Sequence, residues 1–287
     1  MAEDFPTRGR RAVIATMHGK ERVMAPILAG MLGLEVSVAA GIDTDRFGTF
    51  TREIARAGGQ QDALRAKARA ALELDPNADF AVASEGSFGP DPVIPFMGIG
   101  RELVMIVERH SGAEVVGTDV TRDTNYAHRI VDNTGDGLEF ARQTGAPEHS
   151  IVVMFADGDA PDPARPIAKG LRSLDDIQLH LEAVLKQAGR AFIETDMRAH
   201  HNPTRMKSIE RATLDAARRW QSRCPGCGYP GWGIVRRVPG RKCGWCGNPT
   251  RLPEADVYAC ARCGHEVRDE TPGLERADPG VCDYCNP

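Results

Sequence analysis

The first 223 residues of this 287-residue chain contain no cysteine, and all eight cysteines fall in the remainder. That absence excludes a disulfide framework for most of the chain and sets its C-terminal quarter apart. Long apolar runs are missing as well. No stretch reaches the roughly 18–20 residues that a membrane-spanning helix needs, so no membrane partner is expected. The first ten residues mix Glu3 and Asp4 with Arg8 and Arg10 around no apolar core, which argues against a signal peptide. Nor is there an excess of one charge: 36 Lys and Arg stand against 40 Asp and Glu, a net charge of -4, too slight to draw the whole chain to nucleic acid. Low-complexity segments are absent. The expectation is a cytoplasmic protein with an α/β domain over 1–220 and a small module over 221–287.

Patterning along the first 220 residues alternates strands and helices. Arg11–Thr16 reads as a strand, and a helix from about Lys20 to Leu32 carries Val23, Met24, Ile27, Leu28 and Met31 on one face, with Gly33 as its stop. A second strand covers Glu35–Ala40. Residues 61–74 are helical by composition and period. Phe80–Ser84 reads as a short buried strand broken at Glu85-Gly-Ser-Phe-Gly-Pro90, a run that also suits a plain turn. Further strands fall at 102–108, 113–120 and 151–155, and helices near 136–144 and at 174–188, the latter opened by Ser173 and Asp176 in capping-box spacing. Residues 157–170, rich in Asp, Pro and Ala, read as a surface loop. This alternation predicts a layered sheet, mixed in strand direction, covered by helices on both faces.

Residues 194–206 concentrate two acids, two histidines and two arginines: Glu194, Asp196, Arg198, His200, His201 and Arg205. They follow the apolar Ala191-Phe-Ile193 and precede Asn202-Pro203, a cap and first-position pair that starts a helix. Ionisable groups at a strand's C-terminal edge and a helix N-terminus suit an anionic ligand. A solvated lattice of ion pairs is the plain alternative.

The cysteines form four Cys-x-x-Cys pairs, Cys224/Cys227, Cys243/Cys246, Cys260/Cys263 and Cys282/Cys285, separated by 15, 13 and 18 residues. Two intervening residues let both thiolates of a pair turn to one ion, and Gly228, Gly247 and Gly264 ease the knuckle. The expectation is two structural zinc ions in two zinc ribbons. The spacing favours sequential pairing, first with second and third with fourth, while interleaved pairing stays open. Residues 221–251 hold six basic residues (Arg223, Arg236, Arg237, Arg241, Lys242, Arg251) and no acid, with Tyr229, Trp232 and Trp245 between them. They could grip nucleic acid, or merely balance the negative charge of four thiolates on zinc.

Three stretches resemble the superfamily of nucleoside triphosphate pyrophosphatases that includes the inosine/xanthosine triphosphatases. Ile14-Ala-Thr-Met-His-Gly-Lys20 is similar to that family's opening strand and loop, in which a polar loop and lysine hold a triphosphate; His18 stands where asparagine is usual. Phe47-Gly-Thr-Phe50, Glu53 and Asp62–Ala68 resemble its next turn, acid and helix, although extra residues separate them here. Ala78–Gly86 is similar to its strand ending in an acid and glycine, closest to the inosine/xanthosine branch. His200, His201 and Arg205 are loosely similar to its last helix opening. The zinc module is foreign to the common members. The chain's plan as a whole also resembles an uncharacterised bacterial family.

The resemblance implies phosphate contacts from Thr16, His18, Lys20, His200 and Arg205, joined by Arg198 from the charged cluster. It also implies magnesium held by Glu53 and Glu85, with Glu85 doubling as general base. The expected activity is magnesium-dependent hydrolysis of a nucleotide phosphoanhydride bond. The alternative is a non-catalytic nucleotide or RNA binder. The ribbons would serve as a lid or as the contact of a homodimer.

Overall fold

The chain forms two compact units, Thr7–Ala217 and a smaller one made of Arg218–Pro287 with the N-terminal segment up to Pro6. The computed structural model describes residues 5–55, 58–270 and 276–287.

In the larger unit, β1 (Arg11–Ala15) leads into α1 (Glu21–Leu32), which buries Met24, Leu28 and Leu32 and ends on Gly33 in the left-handed conformation at φ 67°. β2 (Glu35–Val38) and α2 (Gln60–Leu74) follow, then β3 (Phe80–Pro90), β4 (Gly98–Glu108) and β5 (Glu114–Thr121). These strands make one five-stranded sheet in the order β2-β1-β3-β4-β5. β1 is parallel to both its neighbours, whereas β3, β4 and β5 run antiparallel, so the sheet is mixed as its pattern suggests.

The strand expected to break at Glu85 does not break. β3 stays paired through Pro90, with Glu85 opposite Leu103 and Pro90 opposite Gly98. Gly86 serves close packing rather than a turn. A Cβ on Gly86 would come within 2.6 Å of a Glu102 carboxylate oxygen and 2.7 Å of the Arg205 guanidinium.

The chain continues through β6 (His128–Val131), α3 (Thr134–Gln143), β7 (Ile151–Asp157), β8 (Ala160–Pro161), β9 (Ala168–Leu171), α4 (Leu174–Ala188), β10 (Ala191–Thr195) and α5 (Pro203–Gln221). Here the strands build a second five-stranded sheet, β6-β10-β7-β8 with β9 also on β7, antiparallel throughout. Three of them, β6, β8 and β9, are too short to announce themselves by alternation. Two lie wholly or partly in the segment expected to be a surface loop.

Helices cover both faces of the first sheet. α2 packs Leu64, Ala68 and Ala71 on Val13, Ala15, Ala81, Ala83, Leu103 and Met105. Gly117 pairs with Val104 and so points to the other face. There α5 approaches so closely that a Cβ on Gly117 would sit 2.2 Å from the Ala216 nitrogen. α3 and α4 cover the second sheet through Phe140, Ile177 and Leu181 on Ile151, Val153 and Ile193. The class expected from the alternation, α/β with a cysteine-rich C-terminal module, is the class observed.

The smaller unit is built on β11 (Gly233–Pro239), β12 (Pro253–Ala259) and β13 (Glu266–Glu270), an antiparallel meander in that order. Among the described residues, no helix is long and apolar enough to cross a membrane.

Candidate functional site

The loop after β1, the middle of β3 and the segment between β10 and α5 converge on one cavity of about 180 Å³ in the larger unit. Of the residues singled out in the sequence, His18, Lys20, Glu85, Arg198 and Arg205 line it. Arg198 and Arg205 of the charged cluster after β10 therefore share one cavity with Glu85. Asn202 starts α5 as expected, its side-chain oxygen accepting from the Arg205 backbone N–H at 2.9 Å, which fixes Arg205 one turn into the helix.

Three candidates lie elsewhere. Thr16 is buried behind the loop and accepts from the His18 backbone N–H at 3.2 Å. His200 stacks on His18 with ring centroids 4.9 Å apart. Glu53 is not part of the wall; its carboxylate is held by Lys169 and by Thr51, at 2.7 Å for the hydroxyl, and both of those residues are part of the wall.

Two charged side chains that the sequence reading passed over complete the site. Lys67 lines the cavity and forms a buried ion pair with Glu85. Its signal was present: it interrupts the apolar stripe Leu64, Ala68, Ala71, where a lysine has no place unless paired. Glu102, on β4, takes both Arg205 Nε and Nη2, at 3.1 and 3.2 Å. Only its position within an otherwise apolar strand could have marked it.

The wall carries five cations, Lys20, Lys67, Lys169, Arg198 and Arg205, against the carboxylates of Asp45 and Glu85. Most of the cations have acidic partners. Arg198 bonds Asp196 through Nε and Nη2, and burial, which works against Asp196's charge, is outweighed by those bonds, so its pKa falls. Glu53 behaves alike, burial being overcome by Lys169 and Thr51. Lys20 differs. Its ammonium donates to Ser84 Oγ at 2.8 Å, and among the described residues it has no carboxylate within ion-pair distance. Burial, with Arg205 and Lys67 nearby, drives its pKa from 10.5 down to about 7. His18 is lowered to about 4, first by burial, despite its contact with Asp45. A cavity of this kind, at the N-terminus of α1 and rich in fixed cations, is suited to a multiply charged anion.

In the smaller unit the four knuckles pair as Cys224/Cys227 with Cys260/Cys263 and Cys243/Cys246 with Cys282/Cys285. This interleaving overturns the sequential pairing favoured by spacing, and the meander explains it. β12 runs back along β11, so Ala259 meets Gly233 and the third knuckle arrives beside the first. β13 reverses again, carrying the chain back toward the second knuckle. One site thus lies at each end of the strands.

Sulfur–sulfur separations across the paired knuckles are 3.7 and 3.6 Å in one group and 3.8 and 3.6 Å in the other. Thiolates about 2.3 Å from a tetrahedral zinc stand roughly 3.8 Å apart, so both groups fit zinc, with no position left open for catalysis. Backbone N–H groups of Gly226, Trp245 and Arg262 point at Cys224, Cys243 and Cys260, each at 3.4 Å. His265 belongs to neither group; it stacks on Trp232. Of the basic residues in 221–251, Arg241 is buried and donates to the Pro253 carbonyl, and Arg223 donates to the Phe5 carbonyl.

The architecture is that of an α/β domain followed by a module of two four-cysteine sites. The chain belongs to a family defined by a domain of unknown function, DUF6671, whose model matches residues 67–287. A comparison with curated proteins finds no match.

Proposed function

We propose that the larger unit binds the phosphate groups of a nucleotide-like ligand in the cationic cavity and hydrolyses a phosphoanhydride bond there. The observation that carries this reading is the convergence of Lys20, Lys67, Arg198 and Arg205 on one cavity with Glu85 in its wall. Fixed cations neutralise charge on phosphate oxygens, and a carboxylate can take the proton of an attacking water as its oxygen bonds phosphorus and the bridging P–O bond breaks. Glu85 is paired with Lys67, so a phosphate that draws Lys67 away would free the carboxylate for that proton. The similarity of Thr16–Lys20 and Ala78–Gly86 to the pyrophosphatase superfamily supports the same reading.

Magnesium held by Glu53 and Glu85 does not fit this donor set. Each carboxylate already has a lysine partner, and among the described residues the only groups of three or more ligands able to hold a metal ion are the two cysteine sites.

The test is phosphate and pyrophosphate release from a panel of nucleoside triphosphates, with and without magnesium, by wild type and Glu85→Gln. Release that falls by roughly 10²–10⁴-fold in the variant supports hydrolysis with Glu85 as base. No release by folded, zinc-loaded protein overturns it. The lysine on Glu85 favours one other reading, a non-catalytic binder in which Glu85 only positions Lys67. Inorganic pyrophosphate binding without turnover would establish it. Nucleic acid along 221–251 belongs to this second reading, with exposed Trp245 as the stacking face and a steep loss of affinity with salt as its test.

A further inference from the structure

A second cavity, of about 230 Å³, adjoins the first and shares Thr49, Phe50 and Thr51 with it. The lining is of another kind. Phe50, Phe88 and Tyr126 supply aromatic surface, Phe88 and Tyr126 lying 25° from parallel with centroids 6.3 Å apart. The polar groups are fewer: the buried Glu194 pairs with the half-exposed Arg52, and the buried Asp196, also in the wall, is held by Arg198. Both Glu194 oxygens accept from Arg52 Nη1, at 3.3 and 3.1 Å, and among the described residues the Arg52 side chain makes its hydrogen bonds through Nη1 alone. The two cavities are joined through Arg205 as well: its guanidinium lies 4.6 Å from the Phe50 ring centre and 5.4 Å from that of Phe88.

Arg52 is held in an uncommon backbone conformation. It is the one non-glycine residue with positive φ, 68°, among the described residues. L-residues adopt that region only against steric strain, and strain of this sort gathers where a side chain must be aimed. Here it aims a guanidinium at a buried carboxylate in a cavity wall.

We infer that this second cavity is a nucleobase site, and that guanine is the base it fits. The inference rests on the phosphate-binding reading of the first cavity and adds to it the ligand's other end. An ionised carboxylate can only accept hydrogen bonds, and it accepts best from two donors side by side. Guanine presents N1–H next to its 2-amino group, with the O6 acceptor beyond, so Glu194 would take the two donors and Arg52 the carbonyl oxygen. Adenine offers one donor group on that edge and no carbonyl. Flat aromatic surface beside a carboxylate–guanidinium pair accounts for the base, and the adjoining cations for its phosphates.

The experiment is calorimetric titration of the full-length, zinc-loaded chain with GDP, ADP and inorganic pyrophosphate, each without magnesium. GDP is expected to bind at least about tenfold more tightly than ADP or pyrophosphate, since only guanine can make the bidentate contact. Glu194→Gln should remove the preference for GDP over ADP while pyrophosphate affinity holds, which also shows that the variant is folded. Tyr126→Leu should weaken both nucleotides and spare pyrophosphate. If pyrophosphate binds and GDP binds no better, the base site is overturned and the phosphate site stands. If none of the three binds, both readings fall. A GDP preference that survives Glu194→Gln and Tyr126→Leu also overturns the inference.

Discussion

Arg205 grips Glu102 through Nε and Nη2 with the two side chains 1% and 0% exposed, the most deeply buried ion pair beside the cavity. Such a pair is worth little against an apolar replacement but is costly to break from one side. Arg205→Met should therefore destabilise the larger unit by about 3–5 kcal/mol in denaturant unfolding, because it strands the Glu102 charge. Adding Glu102→Leu should recover most of that loss. A single variant as stable as wild type would contradict the assignment.

Lys20 makes ligand affinity depend on pH near neutrality. Its charge is present below about pH 7 and fades above it, so pyrophosphate affinity should fall by up to about tenfold per unit above that value. Lys20→Arg, whose charge persists, should flatten this part of the profile. Stability moves the other way. The folded-state pKa lies below the ordinary 10.5, so between about pH 7 and 10.5 the unfolded chain binds more protons and stability rises with pH. Identical affinity profiles for wild type and Lys20→Arg would remove Lys20 from the anion site.

Metal stoichiometry separates the two ways of pairing the knuckles. Wild type should carry two zinc ions per chain and Cys224→Ser one, by elemental analysis. Combining Cys224→Ser with Cys263→Ser should still leave one, because both belong to a single group. Combining Cys224→Ser with Cys243→Ser should leave none. Sequential pairing would reverse the two double variants.

Gly117 is predicted to tolerate no side chain. A Cβ there would meet backbone atoms of α5, the Ala216 nitrogen at 2.2 Å and the Ala212 oxygen at 2.3 Å, and neither can rotate away. Gly117→Ala should destabilise the larger unit by about 3 kcal/mol in denaturant unfolding. Gly112→Ala, where a Cβ meets nothing within 4 Å, isolates the steric effect from backbone preference, since its φ of 66° carries only the latter.

Local chemistry made much of this legible. Asn202-Pro203 starts α5, Ser173 caps α4, Gly33 stops α1, and the cysteine pairs mark two metal sites, because each depends on residues close in sequence. Contacts across the sheets were hidden. Gly86 and Gly89 read as turn residues because nothing local reveals that β4 keeps β3 paired or that Arg205 lies against Gly86. Lys67 interrupts the apolar stripe of α2, but only the folded sheet shows that Glu85 is its partner, and the charged run after β10 does not say which acid Arg205 will choose. Sequential pairing of the knuckles is the natural reading of spacing alone, and only strand reversal decides against it.

The crossed arrangement of the four knuckles also bears on how the module is made. As the chain leaves the ribosome, Cys224, Cys227, Cys243 and Cys246 emerge together, before either native partner exists. Zinc captured at that moment would close the wrong tetrahedron and hold the two ends of β11 together. Native assembly then requires thiolates to change partners once β12 delivers Cys260 and Cys263. A chain built this way gains from late metal loading, and supplying zinc after synthesis rather than during it should raise the yield of correctly closed protein.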